Sequence, residues 1–373
     1  MATTNVSHEK QNYSEKVQYL YCLQDIAVEI HVQLTFIAVL NAFLSITAFF
    51  GNALVLVALR KDSSLHPPSK LLLRSLSVTE LCAGLFSEPL YVTLLATVAN
   101  GHWNICRYLS VTVSATGIIL SLVSLLTLTA ISVERLLALL LGLRYRQVVT
   151  LKRTRMIIIT FWVLPTVFET VSLFWNFPIA SRWRTIVVLL CLVTSTFSYT
   201  KIFHTLRRHQ SQVQHHVQQP NQTNQLNIAR FRKALSTALW LQFAVIVCYL
   251  PRVVSVNFFI KTQPSSSYIV AISYTITLVF LNSSLNPILY CWRIDEVRQA
   301  MKETIRQILC CWNLVGLSNP ITGLSNPITG VYWITDTEKA VAIELWSFID
   351  AVVPQRASSV TIFCWQLVRW WLN

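Results

Sequence analysis

Seven long apolar stretches, separated by short polar connections, occupy most of the chain between residues 33 and 292. An α-helix needs about 20 apolar residues to cross the ~30 Å hydrocarbon core of a bilayer. The stretches lie near residues 33–60, 70–99, 107–140, 155–177, 184–206, 234–260 and 267–292. The pattern predicts an all-α membrane protein, a bundle of seven transmembrane helices that we call the first to seventh spans.

Basic residues are concentrated in alternate connections between the spans. With the N-terminal tail counted as the first connection, the second, fourth and sixth are basic, and their residues include Lys61, His66, Lys70, Arg144, Arg146, Lys152, Arg153, Arg207, Arg208, Arg230, Arg232 and Lys233. An excess of Lys and Arg is typical of cytoplasmic loops. We therefore expect the N-terminus outside the cell and, since the number of spans is odd, the C-terminus inside.

The composition fits a membrane protein and excludes a water-soluble domain. Hydrophobic residues make up 54% of the chain and charged residues only 12%, about half the charged share that is usual in soluble domains. The net charge of +14 does not indicate nucleic-acid binding, because the basic residues fall between apolar runs and form no single patch. No nucleophile–base pair or metal-ligand cluster stands out, so the sequence favours neither an enzyme nor a metal site.

A charged pair, Glu134-Arg135, lies near the cytoplasmic end of the third span. Charges within a membrane are costly and normally face protein or water. Adjacent residues on a helix point about 100° apart, so both side chains can face the interior of the bundle. The pair is either an ion pair that anchors the end of a span or a switch that opens to receive a cytoplasmic partner.

Polar residues and prolines interrupt other spans as well. Asn52 lies in the first span and Glu80 lies near the middle of the second. A carboxylate buried at that depth requires a cation, a hydrogen-bond network or a proton. Pro251 and Pro287 lie in the sixth and seventh spans, where a proline removes a backbone hydrogen bond and kinks the helix.

Together these features resemble one known family. They occur in a set order along the spans, as Asn52, Glu80, Glu134-Arg135, Trp162, Pro251 and the signature Asn286-Pro287-x-x-Tyr290. The set resembles the rhodopsin-like (class A) G-protein-coupled receptors over roughly residues 30–311. The segments HPPSKLL and LRYRQVVT are similar to cytoplasmic loops of the amine-, adenosine- and melanocortin-like branch, and similar orphan receptors are abundant in cnidarians.

The resemblance implies a plasma-membrane receptor that transmits an extracellular ligand signal to heterotrimeric G proteins. Arg135 would contact the C-terminal helix of the G protein once the sixth span moves outward, and Glu134 would hold Arg135 at rest. Tyr199 and Tyr290 would rotate inward to support the open state.

The sixth span departs from the family pattern in two respects. Tyr249 stands where the family usually has tryptophan at the floor of the pocket, just before Pro251. No acidic residue occurs from Lys201 to Ile260, so the second salt bridge that often restrains the arginine is impossible. We therefore expect a loosely held resting state with ligand-independent signalling.

The resemblance also implies a polar pocket that binds a sodium ion in many inactive receptors. Its members here would be Glu80, Ser124, Asn282, Ser283 and Asn286, with Asn52 adjacent. The family usually has aspartate at position 80, and the longer glutamate puts sodium binding in doubt. The alternative is a protonated Glu80 within a structural hydrogen-bond network, and no other cofactor is expected.

The extracellular half of the bundle has an unusual set of candidate ligand-binding residues. Gly117 occupies the position where amine receptors carry an aspartate, which argues against a biogenic amine bound in the usual way. Phe280 stands where opsins carry the retinal-binding lysine. The ionisable candidates are Arg252, Glu88 and Glu169. Arg252 either pairs with one of these glutamates, which we favour, or receives an anionic group of the ligand.

Two cysteines are candidates for an extracellular disulfide. The family normally ties the top of the third span to the second extracellular loop, but that loop, near residues 178–183, has no cysteine. We expect a Cys22–Cys106 disulfide instead, which would hold the N-terminal segment over the pocket. Sequons at Asn5 and Asn12 predict glycosylation of the same segment.

The spans divide the chain into four regions: an extracellular segment (1–32), the bundle (33–292), an amphipathic cytoplasmic helix (293–311) and a tail (312–373). Cys310 and Cys311 end the amphipathic helix and are either palmitoylated, which would hold it against membrane lipids, or unmodified. The third cytoplasmic connection, 208–230, is rich in Gln and His and is predicted to be flexible. The tail contains GLSNPIT twice over residues 316–329 and is unusually apolar for a receptor.

Two other functions fit part of the pattern. A transporter or channel would also span the membrane several times, but the sequence has no internal inverted repeat. A non-signalling seven-helix scaffold or pseudoreceptor would account for the altered residues of the sixth span. Activation of G proteins distinguishes a receptor from a scaffold.

Overall fold

The computed structural model describes residues 22, 29–61, 66–174, 177–216, 240, 242–257, 265–293, 299, 302 and 306. All of them lie in Met1–Arg306, the first of two units into which the chain divides. The sequons at Asn5 and Asn12, the pair Cys310-Cys311 and the tail lie outside the described residues. Most of the amphipathic helix predicted over 293–311 also lies outside them.

The helices follow the predicted spans. The first five are His31–Lys61, Pro67–Ala99, Trp103–Leu141, Leu151–Phe174 and Phe177–His216. The sixth is described over Gln242–Asn257 and the seventh over Ser266–Arg293. All but the sixth contain a stretch long and apolar enough to cross a membrane. The prediction of an all-α, seven-helix bundle is confirmed.

The fifth helix is longer than the predicted span of 184–206. It begins at Phe177, so the residues expected to form the second extracellular loop, 178–183, are helical instead. Pro178 permits this, because the first turn of a helix tolerates proline. At its other end the helix continues to His216, into the connection predicted to be flexible. No glycine or proline lies between residues 207 and 216 to end it.

A π-helical turn, Ala83–Ser87, interrupts the second helix. A Cβ atom on Gly84 in this turn would stand 2.8 Å from the backbone nitrogen of Phe49 in the first helix. Ser45 in the first helix donates a 2.7 Å hydrogen bond to the Gly84 carbonyl oxygen. A π turn has one residue more than an α turn, so it changes the direction in which every later residue points. The turn therefore decides which side of the second helix Glu88 occupies.

Polar side chains join the first and seventh helices inside the bundle. Asn41 Nδ2 lies 2.8 Å from Thr277 Oγ1, and the hydroxyl oxygens of Thr47 and Ser284 are 2.8 Å apart. In a membrane, lipid tails are as apolar as the helices, so apolar burial alone does not select a helix partner. Interhelical hydrogen bonds of this kind give these two helices a specific register.

The predicted Cys22–Cys106 disulfide is present. It links a residue before the first helix to the first turn of the third helix, and the two Cα atoms are 5.9 Å apart. Glu29, which also precedes the first helix, accepts a hydrogen bond from Ser266 at the start of the seventh helix. These links connect the N-terminal segment to the third and seventh helices at one end of the bundle.

We expect peptide mapping of unreduced protein to recover the peptides of Cys22 and Cys106 as one linked species. Reduction should separate them, because the disulfide is their covalent link. Cys310 and Cys311 serve as an internal control for adventitious oxidation during preparation. Alkylation of both Cys22 and Cys106 without prior reduction would contradict the disulfide.

Candidate functional site

The cytoplasmic end of the third helix presents the Glu134-Arg135 pair. Arg135 Nε lies 3.5 Å from Glu134 Oε2. The Glu134 side chain is buried, whereas 36% of the Arg135 side chain is exposed. The pair thus combines a carboxylate inside the bundle with a partly accessible guanidinium at its edge.

Two further side chains hold Glu134 and were not predicted from the sequence. Ser69 Oγ, in the first turn of the second helix, donates a 2.6 Å hydrogen bond to Glu134 Oε1. The Tyr145 hydroxyl donates to the same oxygen from the short helix Tyr145–Val148 that follows the third helix. Both residues belong to the segments HPPSKLL and LRYRQVVT, which were noticed as loop motifs but given no role.

Tyr145 remains a hydrogen-bond donor at physiological pH. Burial, and next the hydrogen bond to Glu134, raise the pKa of the Tyr145 hydroxyl to about 12. The ring also contacts the His66 ring, with 5.1 Å between the ring centroids. The loop after the third helix is thereby attached to the start of the second helix and to Glu134.

The other predicted switch residues lie on the fifth and seventh helices. Tyr199 is buried at 3% exposure and packs with Leu136 of the third helix. Its hydroxyl has no hydrogen-bond partner in the part of the chain that the structure describes. Pro287 packs against the first helix, where a Cβ on Gly51 would stand 2.8 Å from Pro287 Cγ. Tyr290 lies in the seventh helix, but its side chain lies outside the description.

The predicted polar pocket forms around Glu80, which is buried at 1% exposure. Four side chains donate hydrogen bonds to its carboxylate. Oε1 accepts from Ser124 at 2.5 Å, from Asn286 at 2.7 Å and from Asn282 at 3.3 Å, and Oε2 accepts from Ser283 at 2.5 Å. The carboxylate of the second helix thus binds directly to the third and seventh helices.

Asn52 connects the first helix to this pocket. Its Nδ2 donates to the carbonyl oxygens of Ser283, at 3.1 Å, and of Ala48, at 2.8 Å. Asn52 touches the backbone of the seventh helix and makes no hydrogen bond to Glu80. Its place beside the pocket agrees with the sequence-based expectation of an adjacent residue.

The pocket in this arrangement does not fit a sodium ion bound directly to Glu80. A cation would have to lie between the carboxylate and the oxygens of its neighbours. The hydroxyls of Ser124 and Ser283 already approach the carboxylate to 2.5 Å, the short end of hydrogen-bonding distances, with a proton between the two oxygens. Asn286 presents its amide nitrogen, a donor and not a cation ligand. The carboxylate of Glu80 therefore contacts the hydroxyls of its neighbours directly.

The candidate ligand residues lie around the middle of the third helix. A Cβ on Gly117 would stand 3.3 Å from Ser87 Oγ and 4.0 Å from Phe280 Cζ, so the second, third and seventh helices approach one another there. One turn further, Tyr249 of the sixth helix donates a 3.2 Å hydrogen bond to the Ser121 carbonyl oxygen. These contacts place Gly117, Tyr249 and Phe280 in one region of the bundle.

Glu169 has a cationic partner that was not predicted from the sequence: its Oε2 forms a 2.9 Å salt bridge with Arg184 Nη1. The expected pairing of Arg252 with Glu88 or Glu169 stays a prediction. Arg184 was the first residue of the predicted span, and because the fifth helix begins at Phe177 it lies about two turns inside the helix. Neither carboxylate oxygen of Glu88 has a hydrogen-bond partner among the described residues.

Comparison with known proteins agrees with this geometry. The family model of the 7 transmembrane receptor (rhodopsin family) matches residues 51–179 and 168–290. Melanocortin receptor 4 of Danio rerio is 23% identical over 321 residues, which cover 81% of this chain and 90% of that receptor. Melanocortin receptor 5 of Rattus norvegicus is 24% identical over 323 residues, covering 83% of this chain and 92% of that receptor.

We expect the purified protein to have the same melting temperature in sodium chloride and in choline chloride of equal ionic strength, because hydrogen-bond donors occupy the place of the cation. Glu80→Asp is the matched variant: its shorter side chain withdraws from the surrounding hydroxyls and leaves room for an ion. The variant should be more stable in sodium than in choline. A clear sodium-specific stabilisation of the wild-type protein would contradict this account of the pocket.

Proposed function

Since the chain belongs to the rhodopsin family of seven-transmembrane receptors, we propose that it transmits an extracellular ligand signal to heterotrimeric G proteins. Within that family it is a melanocortin-like receptor of the multi-pass plasma-membrane type, and its relatives are receptors and not enzymes. Its proposed coupling surface is the cytoplasmic end of the third helix.

The contrast between Glu134 and Arg135 is the observation that supports coupling. Glu134 is held by Ser69, Tyr145 and the guanidinium itself, so its carboxylate is retained inside the bundle. Arg135 contacts Glu134 at 3.5 Å and is partly exposed at the edge of the bundle. Partly exposed ion pairs contribute little to stability, so Arg135 can leave Glu134 and contact carbonyl oxygens of a partner at a modest electrostatic cost.

The sixth helix supplies the proposed movement. Its Pro251 removes one backbone hydrogen bond within the helix, which allows the two halves to bend relative to each other. Gln242 Nε2, on the cytoplasmic side of this proline, is bonded to Thr196 Oγ1 of the fifth helix at 2.7 Å. Outward movement of this half would uncover Arg135 in our proposal. No acidic side chain on it opposes the movement by holding Arg135.

We place the N-terminus outside the cell and the C-terminus inside. Disulfides form and persist in oxidising compartments, so the Cys22–Cys106 link supports an extracellular position for the N-terminal segment. The basic connections at the other end of the bundle support a cytoplasmic position for Arg135. Both arguments give the same orientation.

The ligand is proposed to bind where the second, third, sixth and seventh helices meet around Gly117. The similar receptors are named for melanocortins, and at 23–24% identity the resemblance supports a receptor of that general type. The absence of a carboxylate at Gly117 argues against a biogenic amine held by the third helix. A ligand that enters here would contact Tyr249, whose hydroxyl binds the third helix at Ser121.

We expect cells that express the receptor to activate at least one class of G-protein α subunit above mock-transfected cells, without added ligand. Arg135→Ala should reduce this basal activity to the mock level at equal surface expression, since it removes the proposed contact group. Arg144→Ala is the control, because Arg144 is an exposed arginine in the same cytoplasmic region. Undiminished activity of Arg135→Ala would contradict the proposal, and silence across all α subunits would favour a scaffold.

A further inference from the structure

Three basic side chains lie where the first helix ends and the second helix begins. Arg60 is the next-to-last residue of the first helix, His31–Lys61. Lys70 and Arg74 lie near the start of the second helix, and because they are four residues apart they share one face of it. The charge of Arg60 is close enough to act on Arg74. We call these three residues the basic cluster.

Arg74 is directed towards the first helix. Its Nη2 donates a 3.3 Å hydrogen bond to the carbonyl oxygen of Leu59. Leu59 is among the last four residues of the first helix, whose carbonyl oxygens have no partner within the helix. Side chains on a helix lean towards its N-terminus, which for the second helix is the end that joins the first. Arg74 therefore connects the two helices close to the boundary of the membrane.

The bond to Leu59 leaves most of the Arg74 guanidinium unsatisfied. The group has five N–H donors, and Leu59 supplies its acceptor in the part of the chain that the structure describes. The Nε atom is buried and has no hydrogen-bond partner there. The salt bridges between described residues do not include Arg74, so no described carboxylate neutralises it. A cation within a membrane bundle normally has an acidic partner or a functional role.

Arg60 adds a second positive charge beside the first. Like charges repel more strongly near a membrane than in water, because the dielectric constant is lower. Arg60 is exposed, and Lys70 and Arg74 are half-buried, so an anion can approach the cluster from outside the bundle. A bound anion would replace the repulsion by attraction and would accept the free donors of Arg74.

The headgroup of an anionic phospholipid has the matching chemistry. A guanidinium binds phosphate through two parallel hydrogen bonds. A phosphate monoester carries a charge of about −1.5 to −2 at pH 7, which offsets two neighbouring guanidinium groups. Basic pockets between transmembrane helices on the cytoplasmic side are suited to such headgroups. Further into the membrane the first helix exposes apolar side chains such as Ile46 and Phe50, which suit acyl chains.

We propose that the basic cluster binds the phosphate monoester headgroup of an anionic phospholipid in the cytoplasmic leaflet. Arg74 donates to two phosphate oxygens, Arg60 pairs with the same phosphate from the first helix, and Lys70 contacts it from one turn nearer the cytoplasm. The lipid thus joins the ends of the first and second helices. This inference rests on the proposed orientation of the bundle and is independent of the receptor's ligand and of its coupling.

The test measures the melting temperature of the purified full-length protein in detergent during titration with short-chain probes. Dioctanoyl phosphatidic acid presents a phosphate monoester on a lipid, dioctanoyl phosphatidylcholine presents a phosphate without net charge, and glycerol 3-phosphate presents the monoester without acyl chains. We expect phosphatidic acid to raise the melting temperature in a saturable manner. The other two probes should have no such effect at the same concentrations.

Arg74→Gln removes the charge and keeps an amide donor for the Leu59 carbonyl oxygen. We expect the half-saturating concentration of phosphatidic acid to rise about tenfold in this variant, because hydrogen bonds between charged groups are lost. Arg153→Gln is the matched control. It removes the same charge from the cytoplasmic start of the fourth helix, where Arg153 donates to the Val148 carbonyl oxygen at 2.9 Å, and should leave the concentration unchanged.

Arg60→Gln is the second variant and keeps the proposal testable if Arg74→Gln does not fold. Arg60 is exposed at the end of the first helix, so its replacement is not expected to disturb the fold. Because Arg60 pairs with the same phosphate in our proposal, this variant should also weaken the binding of phosphatidic acid relative to Arg153→Gln.

Four results would overturn the proposal. They are no stabilisation by phosphatidic acid, equal stabilisation by phosphatidylcholine, equal stabilisation by glycerol 3-phosphate, which would indicate a site for free phosphate, and the same half-saturating concentration in the cluster variants and in Arg153→Gln. The last would indicate diffuse attraction to a basic surface. Because no G protein is present, these results are independent of whether Arg135 couples. Undiminished signalling by Arg135→Ala would count against the proposed function and leave this site intact.

Discussion

The carboxylate of Glu80, held by four side-chain donors, is the contact on which the rest of the bundle depends. Transmembrane helices gain no hydrophobic advantage from one another over lipid, so polar contacts and close packing determine how they assemble. Glu80 brings donors of the third and seventh helices to one point, and Asn52 adds the first helix through Ser283. A different side chain at this point would leave several buried donors without an acceptor.

The third helix connects the Glu80 network to the candidate ligand region on one side and to the cytoplasmic surface on the other. Gly117, Ser121, Ser124 and Arg135 lie on one face, because their spacings of four, three and eleven residues bring each back to nearly the same direction. The eighteen residues from Gly117 to Arg135 span five turns, or about 27 Å. Along this face the helix meets the candidate ligand region, the hydroxyl of Tyr249, the Glu80 network and the cytoplasmic surface in that order.

Three glutamates of the bundle illustrate how surroundings give one chemical group different roles. Glu80 has a full set of donors and joins helices. Glu134 is held by Ser69 and Tyr145 and contacts Arg135, so it restrains a neighbouring cation. Neither carboxylate oxygen of Glu88 has a hydrogen-bond partner among the described residues.

The sequence was sufficient to predict the spans, the members of the Glu80 pocket and the disulfide. The spans follow from hydrophobic length and the pocket members from the family resemblance. The disulfide was predicted because the loop that normally supplies a cysteine in the family has none here. The partner of Glu169 was not predictable in this way, because the pair joins the fourth and fifth helices and no local pattern shows which side chains of two spans meet.

The surroundings of Glu88 were also hidden from the sequence. Hydrophobic periodicity assumes 3.6 residues per turn throughout the second span, and the π turn Ala83–Ser87 breaks that assumption. The roles of Ser69 and Tyr145 depend on two loops folding back to the same carboxylate, which no local pattern reports.

A double-mutant cycle between Glu80 and Asn286 tests the central contact most directly. The hydrogen bond between them joins the second and seventh helices at 2.7 Å, and bonds to charged groups contribute about 1.5–3 kcal/mol. The account predicts that the melting temperature of the double variant Glu80→Ala/Asn286→Ala falls by clearly less than the sum of the two single losses, because both changes remove the same bond. Additive losses would contradict it.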